Sequence, residues 1–194
     1  MRNKKVKKTN KKRTYKSHKK QRITKRKYRG KGKVYTTEGE LEDDIHLKVD
    51  GKEVFRKMTK SVVELKICRL IKKHPHPNIV KIYHVGNDYI DMELTDPNYD
   101  MDIEKIKEIM TGVKEHLQSI GVIYIDWKPD NMGVGEDGEL KLFDFDTSGI
   151  IDIHTNKWKV EPDHYWSYNQ AIDAGHTEPI AIDDYAFEIG ITDK

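Results

Sequence analysis

The charge of this chain changes sign near residue 33, and that change limits how much of it can fold. Of 36 Lys and Arg, 18 fall in residues 1–33, a stretch with no Asp or Glu. Residues 34–194 carry 18 basic and 33 acidic side chains, a formal net charge of −15. The basic segment has too little apolar material to offset the entropy of ordering it, so residues 1–34 are expected to be a disordered tail. What remains, 35–194, is enough for one modest domain. A tail this basic binds polyanions at low salt. Three readings of the tail stay open: a solvated, solubilising segment, nucleic acid or another polyanion held through phosphate contacts with Tyr15 and Tyr28 as stacking candidates, and a nuclear address. Cys68 is the only cysteine, which excludes an intramolecular disulfide and sets the expectation of an intracellular protein, in cytoplasm or nucleus. No apolar run is long enough to cross a bilayer and no secretory leader is visible, so no membrane association is expected.

Within the foldable part, the apolar spacing alternates between two periods. Ile45–Val49 and Glu53–Met58 flank Asp50-Gly51 and read as an antiparallel hairpin. Ser61 can cap a helix whose Val63, Ile67, Leu70 and Ile71 recur on one face, and His74-Pro-His-Pro77 ends it. Ile79–Val85 and Tyr89–Leu94 flank Gly86-Asn-Asp88 as a second hairpin. A long amphipathic helix follows, from about Asp102 to Ser119, with Ile103, Ile106, Met110, Val113 and Leu117 as its stripe and Gly121 as its stop. Two short strands, 131–134 and 139–143, come next. Residues 147–182 read as loop-rich, and a final helical segment covers 183–189. The expected class is α+β.

Chemistry concentrates in Tyr124-Ile-Asp-Trp-Lys-Pro-Asp-Asn131 and Leu142-Phe-Asp-Phe-Asp146. Phosphoryl transfer needs a divalent metal on the phosphates, a cation on the moving charge and a carboxylate to orient the attacking hydroxyl. Asp126 and Asn131 share one loop, with Lys128 between them and Pro129 stiffening it. Asp144 returns beside Asn131 after a short hairpin. Hard oxygen donors of this kind suit Mg2+. Read as structure alone, Asp-Trp-Lys-Pro-Asp-Asn would be a polar turn.

These residues resemble the protein kinase family. Asp126-Trp-Lys-Pro-Asp-Asn131 is similar to its catalytic loop, D-x-K-P-x-N, and Asp144-Phe145 to the start of its D-F-G motif. The resemblance covers about residues 45–190. It implies a two-lobed fold with an N-lobe at about 45–95 and a C-lobe at about 96–194, using ATP and Mg2+ to phosphorylate a Ser/Thr hydroxyl on a protein. Asp126 would be the catalytic base, Lys128 the γ-phosphate contact, and Asn131 and Asp144 the metal ligands. Tyr89–Glu93 resembles the strand entering the hinge, with Met92 as gatekeeper and Glu93 to Thr95 as the backbone facing adenine. Asp183 matches the aspartate that braces the catalytic loop from beneath, although a carboxylate near a helix start also suits the dipole.

Other positions depart from the family. Val54-Phe-Arg-Lys57 lines up with V-A-I-K and nominates Lys57 for the α/β-phosphates, whereas a one-residue slip nominates Arg56, and only one of the two can point into the cleft. Glu64 is the candidate partner of that cation; otherwise it is a surface carboxylate. The glycine-rich loop is degenerate: Gly30 and Gly32 lie in the tail, and Gly39 sits among acidic residues. Tyr124-Ile125 replaces His-Arg, so control by a phosphorylated loop pairing with that arginine is not expected. Asp146 replaces the glycine of D-F-G, as in small-molecule kinases of the same fold. The N-lobe is expected to be shortened and the C-lobe truncated, a pattern that resembles compact kinase-like proteins of large DNA viruses. That resemblance carries an alternative: a catalytically weak virion scaffold that binds nucleic acid through its tail.

Overall fold

The computed structural model describes residues 33–35, 41–43, 45–49, 52–162 and 166–192, with side chains from Glu53 onward. The first strands are short: β1 (Lys33–Tyr35) pairs antiparallel with β2 (Leu41–Asp43). The tail boundary expected at residue 34 therefore falls inside a strand, and this pair was not expected. Residues 1–32, with Tyr15, Tyr28, Gly30 and Gly32 among them, and Gly39 lie outside the described residues.

β3 (Ile45–Val49) and β4 (Lys52–Met58) form the expected hairpin, with Val49 opposite Lys52; the Asp50-Gly51 turn itself lies outside the described residues. Ser61 accepts the Glu64 N–H and caps α1 (Val62–Lys73), which ends before the His-Pro-His-Pro run. β5 (Ile82–Val85) and β6 (Tyr89–Met92) complete an antiparallel sheet ordered β3-β4-β6-β5. The strand expected to begin at Ile79 begins three residues later. Residues 78–80 pair instead with the other half of the molecule: Val80 N–H donates to the Leu142 carbonyl and Leu142 N–H to that of Asn78, both at 2.9 Å.

Asp102 caps α2 (Ile103–Ser119) by accepting the Lys105 N–H. Its Ile106, Met110, Val113 and Leu117 are buried, and such a residue contributes about 1.5–3 kcal/mol when taken fully from water. Gly121 ends this region at φ 80°, a left-handed conformation that suits glycine. After β7 (Val122–Ile123) comes the candidate loop, closed by a 3₁₀ turn at Pro129–Asn131. β8 (Met132–Val134) and β9 (Leu140–Leu142) form the expected hairpin.

Residues 147–182, expected to be loop-rich, hold two strands and a helix as well. β10 (Gly149–Asp152) and β11 (Lys157–Val160) pair with each other, and β10 also pairs with β7, giving the order β11-β10-β7. α3 (Trp166–Asp173) and α4 (Pro179–Gly190) follow. β10 and β7 are too short to announce themselves by alternation; long-range pairing makes them strands. The result is an α+β architecture. One core runs through α1, the inner faces of β5 and β6, α2, the candidate loop and α4, and Trp127, Tyr124 and Phe145 are its largest fully buried side chains.

Candidate active site

β4 decides which cation enters the cleft. Side chains alternate along a strand, so Arg56 and Lys57 face opposite ways. Arg56 turns outward, holds Asp91 with two hydrogen bonds of 2.6 and 2.8 Å, and lies over the Tyr89 ring at 3.9 Å. Lys57 turns inward. Its Nζ donates to Glu64 Oε1 at 2.5 Å and to Asp144 Oδ1 at 2.6 Å. Burial works against the Lys57 charge, but Asp144, Glu64 and Asp146 outweigh it and hold the ammonium above its ordinary range. Glu64 reaches Lys57 because it sits in the first turn of α1, and its side chain is buried rather than on the surface.

The loop after β7 gathers the second group. Lys128 Nζ donates to Asp126 Oδ2 at 2.5 Å. Asn131 Nδ2 donates to the same carboxylate oxygen at 2.8 Å and to the Asp126 carbonyl at 3.0 Å. The β8–β9 hairpin then returns the chain, and Phe143 N–H donates to the Asn131 carbonyl at 3.0 Å. That bond sets Asp144 next to the loop. Asp146 completes the cluster: burial and the neighbouring Asp144 raise its pKa, with Lys57 opposing and Glu64 and Asp126 adding to the shift.

Two residues here hold left-handed backbone without being glycine: Ile125 at φ 69° and Asp144 at φ 64°. Such conformations cost about 1–3 kcal/mol and persist where the surroundings over-determine them. Asp183 supplies part of that restraint. It is fully buried within α4, where its Oδ1 accepts the Ile125 N–H at 3.0 Å and the Trp127 Nε1–H at 2.7 Å, and its Oδ2 accepts Gln118 Nε2–H at 3.0 Å. Burial raises the Asp183 pKa, and these donors pull it partly back. Of the two sequence readings of Asp183, the contacts match the brace; its place inside α4 is not a helix cap. Ser167 adds a bond that the sequence did not suggest, donating to the Ile125 carbonyl at 3.1 Å. Ser167 lies in the loop-rich stretch 147–182, where no motif or periodicity marks it.

At the hinge, Met92 is buried at the end of β6, opposite Phe55 of β4. The Glu93 side chain turns back to accept the Lys81 N–H at 3.2 Å, and the Glu93 N–H donates to the Lys81 carbonyl at 2.9 Å. Thr95 packs on Gly133, where an added Cβ would come within 3.0 Å of it and 2.9 Å of the Asp96 carbonyl. The structure thus brings together Lys57, Glu64 and Asp144, and separately Asp126, Lys128 and Asn131, and places the two groups side by side. Met92, Glu93 and Thr95 line the segment that joins the halves.

Among the described residues, no three His, Cys, Asp or Glu side chains converge to hold a metal unaided. Mg2+ takes one or two carboxylates and completes its shell with phosphate oxygens and water. Asp144 and the Asn131 amide oxygen are the donors suited to it.

No family model matches the sequence. Individual curated proteins do. A probable serine/threonine-protein kinase of Dictyostelium discoideum is 34% identical over 103 residues, 45% of this chain and 15% of that protein. Mitogen-activated protein kinase 13 of Bos taurus is 26% identical over 132 residues, covering 54% and 36%. The stress-activated protein kinase JNK of Suberites domuncula is 32% identical over 104 residues, covering 43% and 28%. The curated relatives of this chain are protein kinases. The kinase similarity is modest in identity, and the matched stretches span only 15% to 36% of the length of these three relatives. The kinase-like α+β fold accounts for both clusters. Beside the Asp126–Asn131 loop lies a groove of about 250 Å³, lined by Asp126, Lys128, Asp130, the exposed Trp166, and Gly190 with Thr192 at the end of α4.

Proposed function

We propose that this chain is a serine/threonine-type phosphotransferase that moves the γ-phosphoryl group of Mg-ATP to a protein hydroxyl. One observation carries the reading: Lys57 bridges Glu64 and Asp144 beside a loop that holds Asp126, Lys128 and Asn131 in mutual contact. The roles follow from charge. Lys57, fixed by Glu64, meets the α/β-phosphates. Asp144 and Asn131 hold Mg2+, which when bound neutralises the phosphate oxygens. Asp126 orients the acceptor hydroxyl and takes its proton as the new oxygen–phosphorus bond forms and the bond to ADP breaks. Lys128 offsets charge on the transferring group. The hinge backbone at Glu93 to Thr95 faces the adenine, and Met92 lies behind it. The groove by Trp166 receives the acceptor segment. Buried Lys57 is what distinguishes this reading from that of a scaffold: a buried ammonium between carboxylates costs desolvation and needs a reason to be kept.

The test is transfer of label from γ-labelled ATP to a mixed Ser/Thr protein substrate with Mg2+ present. Asp144→Ala should abolish it, since the metal loses its carboxylate. Transfer at the native rate in that variant would sink the assignment.

A further inference from the structure

We propose that the groove beside Trp166 takes the chain's own basic segment, residues 1–32, and that the hydroxyls of Thr9, Thr14, Ser17 and Thr24 are its acceptors. This rests on the phosphotransfer reading of the site. The groove, of about 250 Å³, brings two carboxylates and an indole together. Asp126 lines its wall, and Asp130 is exposed beside it. Trp166, the first residue of α3, is 60% exposed, which leaves most of the indole open to a ligand. Lys128, the cation on the same wall, donates to Asp126. An indole face next to a carboxylate attracts ammonium and guanidinium groups. An acceptor with Lys or Arg beside its hydroxyl therefore suits this groove, and one flanked by carboxylates does not.

The sequence supplies such acceptors. Residues 1–33 hold 18 Lys and Arg and no Asp or Glu. Each Ser and Thr among them has a basic neighbour: Lys8 before Thr9, Arg13 before Thr14, Lys16 before Ser17 and Lys25 after Thr24. Residues 34–194 carry a formal net charge of −15, and a field of opposite sign steers the segment onto the body. Covalent attachment makes the encounter intramolecular and raises its effective concentration. Reach is sufficient. At about 3.3 Å per extended residue, Thr24 reaches about 30 Å from Lys33 and Thr9 about 80 Å, against a diameter of about 40 Å for a domain of about 160 residues. In the step itself the acceptor oxygen bonds the γ-phosphorus, the bond to ADP breaks, and the hydroxyl proton passes to Asp126.

The experiment incubates the full-length protein with ATP and Mg2+ and locates the transferred phosphate by mass spectrometry. Phosphate should appear on Thr9, Thr14, Ser17 or Thr24, and a variant with all four changed to alanine should lose its self-labelling. Two synthetic peptides are read alongside, one with Lys and Arg around a single Thr and one with Glu in their place. The wild type should favour the basic peptide in kcat/KM. Asp130→Lys, a change at an exposed position, should cut that preference about tenfold by setting like charges together. Trp166→Ala should cut it about threefold, the worth of an exposed cation over an indole. Transfer to both peptides without preference, or to the basic peptide but not to residues 1–32, would overturn the proposal and leave the phosphotransfer reading standing. So would undiminished self-labelling in the four-alanine variant. Absence of transfer to any acceptor ends that reading, and this proposal with it.

Discussion

Lys57 and Asp144 stand 87 residues apart in the chain and 2.6 Å apart in space. Their contact joins the β3–β6 sheet to the loop-bearing half, and Glu64 closes it from α1 at 2.5 Å. Lys57→Met should leave Glu64 and Asp144 facing each other, with Asp146 nearby and no compensating cation. Breaking a buried pair by removing one partner costs about 3–5 kcal/mol. Denaturant unfolding should show a loss of that size, and Lys57→Met with Glu64→Gln should lose less than the single variant. Equal losses would mean that the two residues are not coupled.

Asp183 should be the most sensitive position outside the cleft. Alanine fits α4 but strands the Ile125 N–H and Trp127 Nε1–H, each at a cost of roughly 1–3 kcal/mol. Asp183→Asn retains an acceptor oxygen and should lose much less. Thermal unfolding of the two variants is the measurement. A small loss in Asp183→Ala would show that the brace is dispensable.

Gly190 ends α4 directly against the candidate loop. A Cβ added there would sit 1.7 Å from the Trp127 carbonyl oxygen, a backbone atom that cannot move without shifting the loop. Gly190→Ala should therefore reduce phosphotransfer by a factor of ten or more, on the order of what a 1 Å misplacement of reacting groups produces. Gly112, with open space around its Cβ position, is the control: Gly112→Ala should be neutral or slightly stabilising.

Acid should destabilise the protein through His76. Its Nδ1 accepts the Asn78 N–H at 3.1 Å, and its ring lies 5.0 Å from that of His116. Burial, with the charges of His116 and Lys141, lowers its pKa below the ordinary 6.5. A base whose pKa falls on folding binds its proton more readily in the unfolded chain. Its contribution to stability is therefore full above about pH 6.5 and is lost as pH drops through that value toward the folded pKa. The melting temperature should decline between pH 7 and pH 5, and His76→Gln should flatten the decline. An identical slope in the variant would remove His76 as the cause.

Much of the scaffold was legible because it depends on neighbours in sequence. Ser61 and Asp102 cap the helices that follow them, and the buried stripe of α2 repeats at helical spacing. The hairpins at 45–58, 82–92 and 132–142 announce themselves by alternation and turn residues. The candidate loop and Asp144 were also visible, since phosphoryl chemistry needs that mixture of carboxylate, amide and ammonium in a short span.

Three things were settled only in three dimensions. Local pattern allowed either Arg56 or Lys57 to enter the cleft; the packing of β4 against β6 and α1 gave the outer face to Arg56 with Asp91 and the inner face to Lys57 with Glu64. Residues 147–182 lacked periodicity, yet pairing with β7 turned part of them into a sheet. Tyr124 and Ser167 came to restrain the backbone around Ile125 and Asp144 beside Asp183, and of the three only Asp183 was marked in the sequence, by the family resemblance. Nearest-neighbour propensities act within a turn or a hairpin and can be read along the chain. Facing, long-range pairing and the closing of buried hydrogen bonds depend on which distant segments share the core, and folding alone brings those segments together.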